Sequence, residues 1–140
     1  EWEFNYLLPD GETRPGFWFT GSVDCLVDYG DGGFGIIDYK TDNVRKGAIA
    51  AKAEEHRLQL LLYVLAVEAA TQRPVREAVI YFWRPDTAVR VDITDNDKKA
   101  ARKELLAVCR FVAARTGERD YVCRTEWCEW CGFNRFCPRL

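Results

Sequence analysis

Two apolar runs joined by a glycine-rich turn constrain this chain most. The first opens with Gly21-Ser22-Val23-Asp24 and the second ends in Ile36-Ile37-Asp38-Tyr39-Lys40. Between them lies Asp28-Tyr29-Gly30-Asp31-Gly32-Gly33, which has the composition of a hairpin turn. Side chains alternate faces along a strand, so Asp38 and Lys40 point the same way. Pairing the two strands can bring Asp24 onto that face, placing two carboxylates and one ammonium within a few ångströms. Oxygen donors of this kind take hard divalent cations such as magnesium. A lysine beside them can hold an attacking water and offset negative charge that develops in a transition state. The trio suits hydrolysis of a phosphodiester. Read blandly, the two aspartates are strand or turn residues facing solvent and Lys40 guards a sheet edge. Aspartate is disfavoured in strands, yet Asp24 and Asp38 lie within apolar runs, which weighs against that reading. Asp28 and Asp31 fit turn positions and are left out of the site.

Periodicity and breakers set the rest of the order. A first strand covers residues 2–8, where Trp2, Phe4 and Tyr6 alternate with Glu1, Glu3 and Asn5, and it ends at the turn Pro9-Asp10-Gly11. A long strand is expected over 17–29 and its partner over 34–40. Leu58, Leu61, Leu62, Leu65 and Ala69 recur at helical spacing and mark a helix over 48–70, stopped before Arg73-Pro74. Strands 77–83 and 88–93 join around Arg84-Pro85-Asp86, and a helix over 96–115, capped by Thr94 or Asp95, ends at Gly117. The order βββ-α-ββ-α predicts an α/β fold, a mixed sheet flanked by helices, with a cysteine-bearing tail.

Gln59 and Tyr63 stand at i and i+4 on the central helix and share a face. Lys52 and His56 extend the same stripe beside the leucine face, at the edge of the core. For Lys52 and His56 the polar margin of an amphipathic helix is the better account. His56 is the only histidine, which excludes a histidine-rich metal site or a nucleophile–histidine pair elsewhere.

The 140 residues suffice for one domain with a real core. It divides into residues 1–117 and a cysteine segment over 118–140. No segment approaches membrane-spanning length and no signal peptide is visible, so no membrane partner is expected. The chain contains no methionine and starts abruptly in a strand, as a piece of a longer polypeptide would. Net charge is −2, but it is unevenly spread: ten Lys/Arg stand against five Asp/Glu from Lys98 onward, and ten against seventeen before it. The acidic part suits metal binding and the basic part suits phosphates; a solvated amphipathic helix is the plain alternative for the latter.

Of the six cysteines, Cys128, Cys131 and Cys137 have C-x2-C-x5-C spacing, which fits an iron–sulfur cluster or zinc. Both need a fourth ligand, and Cys123 is a local candidate. Cys25 and Cys109 read as buried small hydrophobes. Trp127, Trp130, Phe133 and Phe136 are expected to pack the cysteine segment. Metal-ligand spacing argues for a reducing, cytoplasmic setting rather than for disulfides.

Gly-x-x-Asp, then Asp-Tyr-Lys-Thr, then Gln59-Leu60-Leu61-Leu62-Tyr63 on a following helix, resembles the PD-(D/E)xK nucleases, and most closely their RecB-like subgroup. The cysteine run is similar to the iron–sulfur clasp that many of that subgroup carry. The resemblance covers nearly the whole chain and implies the restriction-endonuclease-like fold. It implies a Mg2+- or Mn2+-dependent deoxyribonuclease, exonuclease before endonuclease, that leaves a 5′-phosphate and a 3′-hydroxyl. Asp24, Asp38 and the carbonyl of Tyr39 would hold the metal, Lys40 would place the nucleophile, Gln59 would orient Lys40 or the water, and Tyr63 would contact the substrate backbone. A [4Fe–4S] cluster is implied in the full protein, with zinc as the alternative. The partners implied are DNA, single-stranded or unwound, and a helicase domain or subunit in repair and recombination at the nucleoid; a CRISPR-associated nuclease comes second. One departure is clear: the subgroup usually has a histidine on a helix ahead of Gly-x-x-Asp, and residues 1–21 contain none. From another class, the chain would be a non-catalytic DNA-binding or scaffold module, or a zinc-ribbon RNA binder, but neither needs Asp24, Asp38 and Lys40 together.

Overall fold

β1 (Trp2–Leu8) and β2 (Phe17–Val23) pair antiparallel as a two-stranded ribbon, with Trp2 opposite Val23 and Leu8 opposite Phe17. Alternation along β1 buries Phe4, Tyr6 and Leu8 and leaves Glu3, Asn5 and Leu7 outside. The computed structural model describes residues 1–30, 32–117, 128, 131 and 132. It divides into two units, Glu1–Cys109 and Arg110–Leu140, and among the described residues the strands lie in the first.

A second sheet has four strands in the order β3 (Cys25–Asp28), β4 (Phe34–Lys40), β5 (Val75–Phe82) and β6 (Thr87–Arg90). β4 and β5 run parallel while the other neighbours are antiparallel, so the sheet is mixed as expected. No tight turn can join parallel neighbours. The connection is made by α1 (Ile49–Thr71), entered through a short 3-10 turn at Lys46–Ala48. Its end is set at Gln72, which turns left-handed at φ 55° just ahead of Arg73-Pro74.

The expected single strand over 17–29 is corrected: it breaks at Asp24. Up to Val23 the chain pairs with β1, and from Cys25 it pairs with β4. At the changeover the Asp24 side chain, not a backbone carbonyl, accepts the N–H of Tyr39 at 2.9 Å. β5 begins at Val75, two residues before the predicted start, because the parallel ladder is already engaged by Phe34 N–H donating to Pro74 C=O at 2.9 Å. The predicted turn between β3 and β4 is present, with Gly30 and Gly32 at φ 72° and 96°.

α1 lies against one face of the sheet. Leu60, Leu61, Val64, Leu65 and Val67 of the helix and Ile36, Ala78, Ile80 and Phe82 of the strands are fully buried. α2 (Asp95–Ala113) starts at the predicted cap, where Asp97 N–H donates to Thr94 Oγ1 (3.3 Å) and Thr94 N–H to Asp97 Oδ2 (3.0 Å). Two ion pairs pin it to α1: Arg57 with Asp97 at 2.5 Å and Lys98 with Glu68 at 2.8 Å. Cys25 and Cys109 are half-buried rather than buried, and burial still pushes the Cys109 thiol up. Among the described residues no helix is long and apolar enough to cross a membrane. Cys123, Cys137, Trp127, Trp130, Phe133 and Phe136 lie outside the described residues. Cys128 and Cys131 are free thiols, with Cys131 N–H donating to Cys128 C=O at 3.3 Å.

Candidate active site

The register of β3 on β4 carries the site. Cys25 faces Ile37, so one step further the break at Asp24 comes abreast of Asp38. Asp38 belongs to the α1 side of the sheet, with Ile36 before it, and is 3% exposed. Burial pushes its carboxyl above the ordinary carboxylate range; Lys40 pulls the other way and the charge of Asp24 adds to the rise. Lys40 Nζ stands 2.8 Å from Asp38 Oδ2.

α1 supplies the second half. Lys40 Nζ donates to Gln59 Oε1 at 2.9 Å, and Gln59 Nε2 donates to the Tyr63 hydroxyl at 2.7 Å. Lysine only donates, so the amide oxygen of Gln59 must face it, and the amide nitrogen then faces Tyr63. The Tyr63 oxygen therefore accepts here and keeps its own proton for another acceptor. Its ring is held edge-on by Phe4 of β1, with centroids 5.8 Å apart. Of the five side chains singled out from the sequence, Asp38, Lys40, Gln59 and Tyr63 form one bonded chain, and Asp24 is fixed beside it on the Tyr39 N–H, near enough for its charge to act on Asp38.

The donor set suits a hard divalent cation. Asp24 uses Oδ2 on Tyr39 N–H, and Asp38 uses Oδ2 on Lys40, so each keeps an oxygen. Within a strand the N–H and C=O of one residue point to the same side, so the Tyr39 carbonyl faces the edge from which Asp24 approaches. Among the described residues no three His, Cys, Asp or Glu side chains gather as a metal-binding group. Two carboxylates and a carbonyl match magnesium, which keeps several of its waters.

Asp42, which the sequence argument did not single out, lies 3.8 Å from Lys52 Nζ and 3.7 Å from His56 Nε2, so the segment leaving Lys40 approaches the polar margin of α1. Lys52 and His56 are one helical turn apart on that margin.

Similarities to known proteins agree with this geometry. The chain is 39% identical over 89 residues to an ATP-dependent helicase/nuclease subunit of Desulforudis audaxviator, a match covering 58% of this chain and 7% of that protein. The same-named protein of Alkaliphilus oremlandii is 42% identical over 71 residues, 51% of this chain and 6% of that protein. That of Bacillus cereus (strain AH187) is 32% identical over 89 residues, 59% of this chain and 7% of that protein. The chain thus spans less than a tenth of the length of these relatives. The model of the PD-(D/E)XK nuclease superfamily matches residues 1–138. Read together with the pairing of Lys40 on the buried Asp38, a match over nearly the entire length makes this chain a nuclease domain of the PD-(D/E)XK superfamily.

Proposed function

We propose that the domain hydrolyses DNA phosphodiesters with Mg2+ or Mn2+ held by Asp24, Asp38 and the Tyr39 carbonyl. The observation that carries this reading is the Lys40 ammonium, fixed between a buried carboxylate at 2.8 Å and the Gln59 amide at 2.9 Å. When bound, the cation supplies Lewis-acid stabilisation and lowers the pKa of a coordinated water. The chain's own residues do the rest. Lys40 orients the nucleophile and offsets charge on the phosphate. Gln59 keeps Lys40 from swinging away, and the Tyr63 hydroxyl, its oxygen already engaged by Gln59, donates its proton to the substrate backbone.

The relatives' names support a place in a helicase–nuclease. The reading extends, on the family resemblance alone, to strands unwound by a helicase part in DNA repair and recombination in the cytoplasm, and to an exonuclease leaving a 5′-phosphate and a 3′-hydroxyl. Cysteine spacing supports a [4Fe–4S] cluster on Cys123, Cys128, Cys131 and Cys137 in the longer protein, with zinc as the competitor; iron, sulfide and zinc analysis decides between them. The hydrolytic reading is tested with an end-labelled single-stranded oligonucleotide in Mn2+, Lys40→Ala beside the wild type. Cleavage confined to the wild type supports the proposal. Equal cleavage by both removes Lys40 from the mechanism.

A further inference from the structure

Among the polar side chains of the α1 stripe, His56 is the one left without a hydrogen bond. Gln59 and Tyr63 are bonded to each other and to Lys40, and Lys52 Nζ donates to Glu55 at 2.6 Å. His56 lies between them, its ring tilted against Phe82 with centroids 6.4 Å apart. Its Nε2 is buried and has no hydrogen-bond partner. Leaving a buried ring nitrogen unpaired costs free energy, and such a group calls for an explanation.

The Asp42 carboxylate supplies one. It stands 3.7 Å from His56 Nε2 through one oxygen and 3.8 Å from Lys52 Nζ through the other, beyond hydrogen-bond distance of both. A carboxylate only accepts, so the imidazole proton that can meet it must sit on Nε2. Burial, and then the Lys40 ammonium, lower the ring's pKa from the ordinary histidine value. Asp42 belongs to the segment that leaves Lys40 for α1, and a shift of less than about 1 Å would complete the bond. Lys52 holds Glu55 at 2.6 Å against 3.8 Å for Asp42, so Asp42 can turn to His56 without taking Lys52 from its closer partner.

We infer that His56 is a positioning residue of the hydrolytic site: its Nε2–H closes onto Asp42 when the substrate strand binds, fixing the chain that leaves Lys40 against α1. The inference rests on the nuclease reading, and its test has one arm that does not. Because the chain has a single histidine, imidazole nitrogen signals in NMR belong to His56 alone. Spectra are taken with and without a single-stranded oligonucleotide in EDTA, for the wild type and Asp42→Ala. The Nε2–H tautomer is expected, with a signal that moves on adding the strand in the wild type and stays fixed in Asp42→Ala. In the kinetic arm, His56→Phe keeps the packing on Phe82 and lowers kcat about tenfold with KM unchanged, the scale set by a small misplacement of a catalytic group. His56→Gln, which returns an N–H at similar reach, restores most of the rate, and His56→Phe/Asp42→Ala loses no more than the worse single variant. An Nδ1–H tautomer, a wild-type kcat in His56→Phe, or additive losses in the double variant would each overturn the inference. A wild type that cleaves nothing would count against the nuclease reading, while the NMR arm still decides whether His56 and Asp42 meet.

Discussion

The β3–β4 pair carries a carboxylate near each end, in opposite electrostatic circumstances. At the turn, Asp28 accepts two bonds from the Arg73 guanidinium, at 2.9 and 2.6 Å, and one from Gly30 N–H at 2.9 Å. Arg73 itself lies over the Phe34 ring, 4.3 Å from its centroid. Its bonds hold Asp28 at a pKa of about 2. At the other end Asp38 is buried with Lys40 at 2.8 Å and the charge of Asp24 acting on it, and burial pushes its carboxyl up. The first arrangement ties β3 to the segment after α1 through an arginine fork that holds its carboxyl low. The second keeps a carboxyl in a buried place against its solvation, with one lysine bonded to it. Perturbed groups of the second kind cluster where chemistry is done.

Substitutions that separate the two ends should show it, and the largest effects fall on the Asp38 end. Lys40→Ala or Asp38→Asn should lower the cleavage rate by at least about a thousandfold, the scale of losing a principal electrostatic group. Asp28→Asn should stay within about twofold of wild type, as a surface change away from the reacting groups does. A single-turnover assay in Mn2+ reads both, and a loss in Asp28→Asn as deep as in Asp38→Asn would erase the distinction. Next comes the support on α1. Gln59→Leu frees Lys40 from its second anchor and is expected to cost about 10- to 100-fold in kcat. Tyr63→Phe, which removes one hydrogen bond to substrate, should mainly raise KM.

Stability against pH sharpens the contrast with smaller effects of opposite sign. Asp28 has a depressed folded pKa, so its contribution is present above its ordinary value of 3.8 and is lost as pH falls through about 2. Asp38 has a raised folded pKa, so its contribution is full below 3.8 and is lost as pH rises through the elevated value. Metal-free Asp38→Asn should therefore melt higher than wild type at pH 7 and close to it near pH 3. Asp28→Asn should melt lower than wild type at pH 7, with the gap closing in acid. Thermal melts at the two pH values in EDTA check both signs.

Much of this was legible in the sequence because strand and helix periods dictate it. Asp38 and Lys40 share a face by alternation, Gln59 and Tyr63 share one by helical spacing, and the glycines of the turn predict the hairpin that brings Asp24 abreast of Asp38. The break at Asp24 was not legible. Residues 17–29 read as one apolar strand, and only the competition between β1 and β4 for pairing interrupts it. The role of Asp28 in gripping Arg73, from 45 residues away, was hidden for the same reason: a turn residue carries no sign of its distant partner. Asp42 and the orphaned His56 nitrogen depend on where a loop settles over α1, which local patterns leave open.

The central claim, that Asp24 and Asp38 form a cation site completed from outside the chain, is tested most directly by calorimetric titration with Mn2+. The account predicts binding by the wild type and by Asp28→Asn, and its loss in Asp24→Asn and Asp38→Asn. Binding by Asp38→Asn equal to wild type, or no binding by a folded wild-type protein, would contradict it.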